Sequence, residues 1–196
     1  MKELLLILVL IIMPNDLVRA GELEDGHKAY EKKDYVTALK LWRSLAEEGI
    51  AKAKHNLGFM YQNGYGVEQD VKEAIKWYRK AARQGHGKAE YNLGVMYEKG
   101  KGVLQDYGES VKWYRKAASK GIANAQSNLG VMHEKGKGVT QSYVRAYMWY
   151  NLGAINGSDN GSNNRDIVTR KMTSTQIKEA QNKARDCLKK SYRNCD

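Results

Sequence analysis

The sequence predicts an all-helical protein built from stacked helix pairs, and a 36-residue repeat is the main reason. Tryptophans at positions 77, 113 and 149 lie 36 residues apart, and several other columns keep the same interval. These columns are the Leu-Gly pairs at 57–58, 93–94 and 129–130, the Gly-x-Gly-Val segments at 64–67, 100–103 and 136–139, and the alanines at 53, 89 and 125. A period between 20 and 50 residues indicates small supersecondary units that stack on their neighbours.

Each unit is predicted to contain two helices. The first helix covers about 53–63, because apolar residues recur there at helical spacing. Gly64 ends this helix, since glycine adopts the left-handed cap conformation without steric cost. Asp70 begins the second helix as its N-cap, and Glu73 completes a capping box. The same device recurs as Asp106 with Glu109, and the third unit keeps the capping residue Ser142.

These residues carry a resemblance to a known repeat. The pattern A-x3-LG-x2-Y-x2-G-x-GV-x2-D, followed by A-x2-WY-x-KAA-x2-G, resembles the Sel1-like repeat, a relative of the tetratricopeptide repeat. It covers 53–88 and 89–124 most fully, and 125–160 in a divergent form. Residues 21–52 resemble a simpler tetratricopeptide-like unit, and 161–196 resemble the closing helices of bacterial members. The resemblance implies a right-handed α-solenoid of antiparallel helix pairs with a concave and a convex face.

The segment 156–164, NGSDNGSNN, is the only low-complexity stretch of the sequence. Its polar and glycine-rich composition predicts a loop that leads into the terminal helices. In those helices Thr173 and Gln176 have the spacing of a capping box.

The first twenty residues have the layout of a secretory signal peptide. A short charged start precedes an apolar run at 4–13, Pro14 breaks the run, and Val18 and Ala20 are the small residues expected before a cleavage after Ala20. The run is too short to cross about 30 Å of hydrocarbon as a helix. An uncleaved N-terminal anchor is the alternative. We expect the protein in the periplasm of a Gram-negative bacterium or outside the cell.

Cys187 and Cys195 are the two cysteines of the chain, and both lie near its C-terminus. In an oxidising compartment they are expected to form a disulfide, which would constrain the last helix. A redox-active pair and metal ligation are the alternatives. The sequence has no Cys-x-x-Cys motif and no histidine near this pair, which favours the structural disulfide.

The sequence shows no motif for catalysis or metal binding. The histidines form no His-Glu-x-x-His pattern, and we expect His55 and His133 to be surface or half-buried side chains. Gly64-x-Gly66 lacks the other residues of a phosphate-binding loop and follows a helix, so we interpret it as a folding feature. We predict no enzyme activity, no cofactor and no metal. A hydrolase of β-lactam-like or peptidoglycan substrates is the alternative, because some cysteine-rich members of the resembled family carry a β-lactamase label.

The formal charge of +11 has a pattern on the second helices. The basic residues that share one face of the repeating second helix are Lys72, Lys76, Arg79 and Arg83, with Lys112 and Arg115 one repeat later. A solvated face that aids solubility is one interpretation, and attraction to anionic envelope surfaces is the other. We expect no nucleic acid partner, because the aromatic residues occupy core columns rather than an exposed stacking ladder.

An asparagine column marks the candidate binding site. In the resembled superhelix the first helices line the concave face, and an asparagine there can donate to and accept from a peptide backbone. We predict a groove for a peptide or protein, formed by Asn56, Phe59, Asn92, Lys99, Asn128 and Lys135. The alternative is that the asparagines connect neighbouring repeats and bind no ligand. The predicted function is an exported protein-interaction module, with a secreted effector of host proteins as a further alternative.

Overall fold

The computed structural model describes the backbone at residues 2–193 and 195, and the side chains at 17–193 and 195. Every regular element in this part of the chain is a helix, as the repeat pattern predicts. The helices are α1 (Lys2–Glu31), α2 (Tyr35–Glu47), α3 (Ala51–Asn63), α4 (Val71–Arg83), α5 (Gly87–Lys99), α6 (Tyr107–Ala118), α7 (Ala123–Lys135), α8 (Tyr143–Ile155), α9 (Asp159–Thr169) and α10 (Ser174–Lys189).

The chain forms two compact units, an N-terminal unit of residues 1–81 and a C-terminal unit of residues 82–196. In the N-terminal unit α2 packs against both α1 and α3. Its core has two clusters, one around Trp42 and Met60 and one around Leu45 and Leu57. These residues come from the helical faces that the apolar spacing predicts.

The C-terminal unit contains the helix pairs α5–α6 and α7–α8, followed by α9 and α10. Helix α6 packs on α7, and α8 packs on α9 and α10, so each pair buries a face against the next element. Tyr114 and Tyr150 are fully buried at equivalent positions of α6 and α8. The unit is therefore a helical stack of the α-solenoid type.

The glycine-rich loop has the folding role that the sequence predicts. Gly64 and its equivalents Gly100 and Gly136 cap the first helices in the left-handed conformation, with φ between 64° and 71°. The close approach of the two helices in a pair also depends on glycine, because a Cβ atom added at Gly58 would lie 2.8 Å from the ring of Tyr78. The conserved spacing thus reflects backbone geometry rather than phosphate binding.

The predicted capping boxes are half correct. Asp70 accepts a hydrogen bond from the backbone N–H of Glu73, and Asp106 accepts one from that of Glu109. The side chain of Glu73 does not complete the box, because it bonds forward to Lys76 at 2.7 Å. A complete box is present at Thr173 and Gln176, as predicted.

The prediction of a loop at 156–164 is wrong, because residues 159–164 belong to α9. The hydroxyl of Ser158 accepts from the backbone N–H of Gly161 and begins the helix. Gly161 is buried against α8, where a Cβ atom would lie 2.8 Å from the carbonyl oxygen of Tyr150. The glycine serves close packing here, so composition was a misleading guide.

Most side chains of the predicted signal peptide, residues 1–20, lie outside the described residues, because side chains are described only from Leu17 onward. The backbone of residues 2–16 lies in α1, which continues without interruption past Ala20 to Glu31. Within the described part of the chain, none of the helical segments combines the length and the apolar content that a membrane span requires.

The C-terminus is held by a cross-link and by a hydrogen-bond chain. Cys187 of α10 and Cys195 are joined as a disulfide with a Cα–Cα distance of 5.0 Å. Within the nine-residue loop that they close, the hydroxyl of Tyr192 donates to Oδ1 of Asn156 at 3.0 Å. Asn156 in turn donates to Gln126, whose amide donates to the carbonyl of Ala118. The loop is thereby attached to the preceding repeats.

Candidate functional site

The predicted groove residues lie on the first helices of the repeats, and within each unit we call the surface that these helices present its first-helix face. In the N-terminal unit it comprises Asn56 and Phe59 of α3. In the C-terminal unit it comprises Asn92, Val95 and Lys99 of α5 together with Asn128, Val131 and Lys135 of α7. Positions three and seven residues apart share one side of a helix, so each helix presents its members together.

Two lysines stand at the ends of the first helices in the C-terminal unit. Lys99 is the last residue of α5 and Lys135 the last of α7, and both side chains are exposed. A cation at a helix C-terminus is favoured by the helix dipole. Because both side chains are exposed, an anionic ligand can reach the two ammonium groups.

Asn128 connects two repeats. Its Nδ2 donates to the hydroxyl of Tyr114 at 2.9 Å, and that hydroxyl donates to Oε2 of Glu98 at 2.6 Å. Burial raises the pKa of Tyr114, and the Glu98 carboxylate that accepts its hydrogen bond raises the pKa further. The phenol therefore stays protonated and fixes α7 to the α5–α6 pair. At this position the asparagine connects neighbouring repeats, as the alternative interpretation of the column predicts.

A second tyrosine–glutamate pair repeats this arrangement one unit later. Tyr150 donates to Glu134 at 2.8 Å, and Lys171 donates to the other oxygen of the same carboxylate at 2.8 Å. Partial burial opposes ionisation of Glu134, but the hydrogen bonds from Lys171 and Tyr150 outweigh it and lower the pKa of this carboxyl. These pairs were not predicted from the sequence, although Glu98 and Glu134 are 36 residues apart.

Asn56 in the N-terminal unit differs from Asn128. It is 8% exposed, and its Nδ2 has no hydrogen-bond acceptor in the described chain. Its Oδ1 lies 3.1 Å from Nδ1 of His55. The position equivalent to Tyr114 is occupied by Trp42, whose ring has no oxygen that could accept from the amide.

Phe59 belongs to an aromatic cluster in the N-terminal unit. Its ring lies 6.1 Å from Tyr30 and 5.9 Å from Tyr65, and Tyr65 stacks on Tyr35 at 4.6 Å. All four rings are half-buried. The sequence analysis singled out Phe59 alone, because the contacts join residues from α1, α2 and the loop after α3 that are far apart in the chain.

The prediction that His133 is a surface or half-buried residue is wrong, since it is 1% exposed inside the C-terminal unit. It occupies a tyrosine position of the repeat, at which Tyr61 and Tyr97 are only half-buried. His55 is half-buried, as predicted.

The basic face of the second helices is partly neutralised by acidic neighbours. Lys76 forms an ion pair with Glu73 at 2.7 Å, and Lys112 forms one with Glu109 at 2.6 Å. The hydrogen bond to its glutamate, with the attraction of the charge, raises the pKa of each lysine. Lys72 and Arg83 are exposed. This pairing weakens the surface as a site for anions.

Stacked helix pairs with glycine-capped hairpins and buried inter-repeat tyrosines define an α-solenoid of the helical-repeat class. The family model described as the Sel1 repeat matches residues 18–50, 51–86, 87–122 and 123–158. The chain therefore belongs to the Sel1-repeat family, whose fold commonly mediates protein–protein interaction and whose members are generally scaffolds without enzyme activity. Helices α9 and α10 lie beyond the last matched repeat.

Two solved structures are similar over most of the chain. A protective antigen present in uropathogenic Escherichia coli strains, displaying an SLR fold, is 33% identical with a TM-score of 0.81. The match covers 90% of this chain but 39% of the antigen, so the chain spans about two fifths of that protein. A Sel1 repeat protein from Oxalobacter formigenes is 29% identical with a TM-score of 0.73, and the match covers 87% of this chain and 74% of that one. A search of curated proteins found no match.

Proposed function

We propose that the protein is an exported interaction module without enzyme activity, and that its first-helix face binds a peptide or protein. The observation that carries this proposal is a half-buried apolar residue that recurs next to the asparagine column, at Phe59 in the N-terminal unit and at Val95 and Val131 in the C-terminal unit. Each of these side chains packs partly against interior neighbours and leaves the rest of its surface exposed. Apolar residues repeated on an outer helix face, with polar residues beside them, are typical of a surface that a partner covers.

The hydrogen-bonded contacts beneath this face support the proposal. The link from Asn128 through Tyr114 to Glu98 holds α7 against the α5–α6 pair. A surface whose helices are fixed in this way loses little conformational entropy when a partner binds. Asn128 thus contributes by positioning the face, whereas Lys99 and Lys135 are placed to contact the ligand.

Affinity capture from an envelope extract tests the binding face. The full chain should retain a partner that is lost with Val95→Asp/Val131→Asp, because a charge would be buried in the interface. Leu104→Asp controls for the added charge, since Leu104 is 90% exposed in the loop after α5. Because Val95 and Val131 also pack against core clusters, an unchanged circular dichroism spectrum and melting temperature must show that the double variant folds. Equal capture by the double variant and the wild type would show that binding uses another surface.

Export through cleavage after Ala20 is the second part of the proposal. The apolar run at 4–13 and the cysteine pair support it, since disulfides persist in oxidising compartments. Cleavage would remove Arg19, whose Nε bonds Glu48 at 2.9 Å in the full chain. N-terminal sequencing of protein from the periplasm and the culture medium should find Gly21 as the first residue. Material that begins at Met1 would contradict cleavage, and recovery from the medium would favour a released effector.

A further inference from the structure

The two units differ greatly in net charge. Residues 1–81 contain 13 basic and 12 acidic residues, for a net charge of +1, and residues 82–196 contain 20 and 10, for +10. The C-terminal unit therefore carries nearly all of the positive charge. A field of this size attracts anions and repels basic ligands.

Helix α9 extends the first-helix face of the C-terminal unit. Asn164 and Ile167 are 36 residues after Asn128 and Val131, and Gly161 occupies the position of the repeat alanines. Helix α9 packs against both α7 and α8, as expected for the first helix of a further repeat. Ile167 is 49% exposed, and it continues the apolar repeat column of Val95 and Val131, which are half-buried. The family model ends at residue 158 and omits this helix.

The lysines beside this apolar line are of two kinds. Lys171 is already engaged, because it donates to the carboxylate of Glu134. Lys88, Lys99 and Lys135 are exposed, and within the described chain none of them has a hydrogen bond or an ion pair. Lys135 is attracted by the charge of the neighbouring Glu134, but among the described residues no carboxylate forms an ion pair with any of the three lysines. An apolar line flanked by available cations complements a ligand that alternates apolar and acidic groups.

We propose that the α5, α7 and α9 face of the C-terminal unit binds an extended acidic peptide segment. The apolar side chains of the peptide would pack on Val95, Val131 and Ile167, and its carboxylates would pair with Lys99 and Lys135. This inference rests on the proposed function and adds the chemical class of the partner. Packed helices are about 8–10 Å apart and an extended chain rises about 3.3 Å per residue. A peptide of about nine residues therefore crosses three such helices.

Three labelled nonapeptides of one pattern provide the test. They alternate valine with glutamate, glutamine or lysine, and their binding to the full chain is measured by fluorescence anisotropy at low and physiological salt. The glutamate peptide should bind at least about tenfold more tightly than the glutamine peptide, because a charge-assisted hydrogen bond is stronger than a neutral one. This preference should weaken with salt, and the lysine peptide should not bind.

Matched variants locate the binding. Lys99→Ala/Lys135→Ala should weaken the glutamate peptide at least about tenfold and leave the glutamine peptide unchanged. Lys178→Ala/Lys190→Ala removes the same charge from exposed positions outside the face and should have a much smaller effect. Ile167→Asp should weaken both peptides. Ile167 is 49% exposed, so we expect the variant to fold, and its melting temperature checks this.

The outcomes separate this inference from the proposed function. If both lysine double variants lose the same affinity for the glutamate peptide, the attraction is unspecific and comes from the whole unit. That result would overturn the acidic-peptide assignment. Equal binding of glutamate and glutamine peptides, lost in Ile167→Asp, would refute the acidic class and preserve the binding face. Binding of anionic phosphatidylglycerol vesicles that competes with the glutamate peptide and depends on Lys99 and Lys135 would assign the face to a membrane surface instead. Failure of every peptide would overturn the inference, while the capture experiment decides the proposed function separately.

Discussion

The N-terminal and C-terminal units use the same repeat but join its parts differently. In the N-terminal unit Tyr65 of the glycine loop stacks on Tyr35 at the start of α2, with ring centroids 4.6 Å apart. Two repeats later in the sequence, the equivalent loop residue Lys137 lies 4.7 Å from the ring of Tyr107 at the start of α6. An aromatic stack and a cation–π contact thus connect the same two elements, and only the second adds a positive charge to the surface.

The asparagine column shows the same divergence. The amide of Asn128 donates to the hydroxyl of Tyr114. At the position equivalent to Tyr114, Asn56 has Trp42, whose ring offers no oxygen as an acceptor. The N-terminal unit, near neutral in charge, relies on clustered rings. The C-terminal unit relies on buried tyrosine–glutamate bonds and leaves lysines on its surface. A repeat column therefore preserves position but not chemistry.

The largest expected difference between the units comes from the disulfide. Cys187→Ser/Cys195→Ser should destabilise the C-terminal unit by about 2–3 kcal/mol, because the cross-link reduces the entropy of the unfolded chain. Hydrogen exchange should show the change in α10 and α8 and none in α2 and α3. Reductant should reproduce the effect in the wild type and do nothing further to the variant. Equal exchange of α10 in both proteins would contradict the predicted role of the cross-link.

Helix approach provides the next comparison. Gly130→Ala should cost about 1–2 kcal/mol, because overpacking outweighs the gain in helix propensity. Gly58→Ala should cost less, since its Cβ would lie 2.8 Å from the ring of Tyr78, whereas at Gly130 it would lie closer to Tyr150. Urea unfolding of both variants checks the order. A stabilising effect of Gly130→Ala would show that the α7–α8 pair can separate without penalty.

The asparagine column should respond differently in the two units. Asn128→Ala should cost about 1 kcal/mol, since it removes a hydrogen bond to Tyr114. Asn56→Ala should be nearly neutral. It loses the contact between Oδ1 and His55, but it also removes a buried amide donor that has no acceptor in the described chain. Chemical denaturation measures both, and Tyr114→Phe with Asn128→Ala in a double-mutant cycle measures the coupling. Equal costs at the two positions would remove this distinction between the units.

The smallest expected effect concerns Glu134 and pH. Its folded pKa lies below the ordinary value of 4.5, so the interaction with Lys171 stabilises the protein above that value. The contribution is lost as pH falls through the lower folded pKa. Lys171→Met should therefore lower the melting temperature slightly at pH 7 and converge with the wild type in acid. A difference that persists below the folded pKa of Glu134 would have another origin.

Much of the repeat architecture follows from local features of the sequence. Gly64 and Asp70 act on the backbone within a few residues of their own positions, so their roles were correctly predicted from spacing. The helical faces follow because apolar periodicity is also a local property. Composition failed at 156–164, where Ser158 and Gly161 have local preferences for loops but are used in a helix that packs on α8.

The sequence alone therefore determined the repeat unit, its paired helices, and the glycine caps and N-cap residues that bound them. Only the tertiary structure decided what each column contacts, since Asn56 and Asn128 are the same residue at the same repeat position with different surroundings. The tertiary structure also revealed that α9 continues the face and that Lys99 and Lys135 have no ion pair among the described residues. The physical reason is range, because helix formation and capping depend on neighbours in the chain whereas hydrogen-bond partners and uncompensated charge depend on residues brought together by packing.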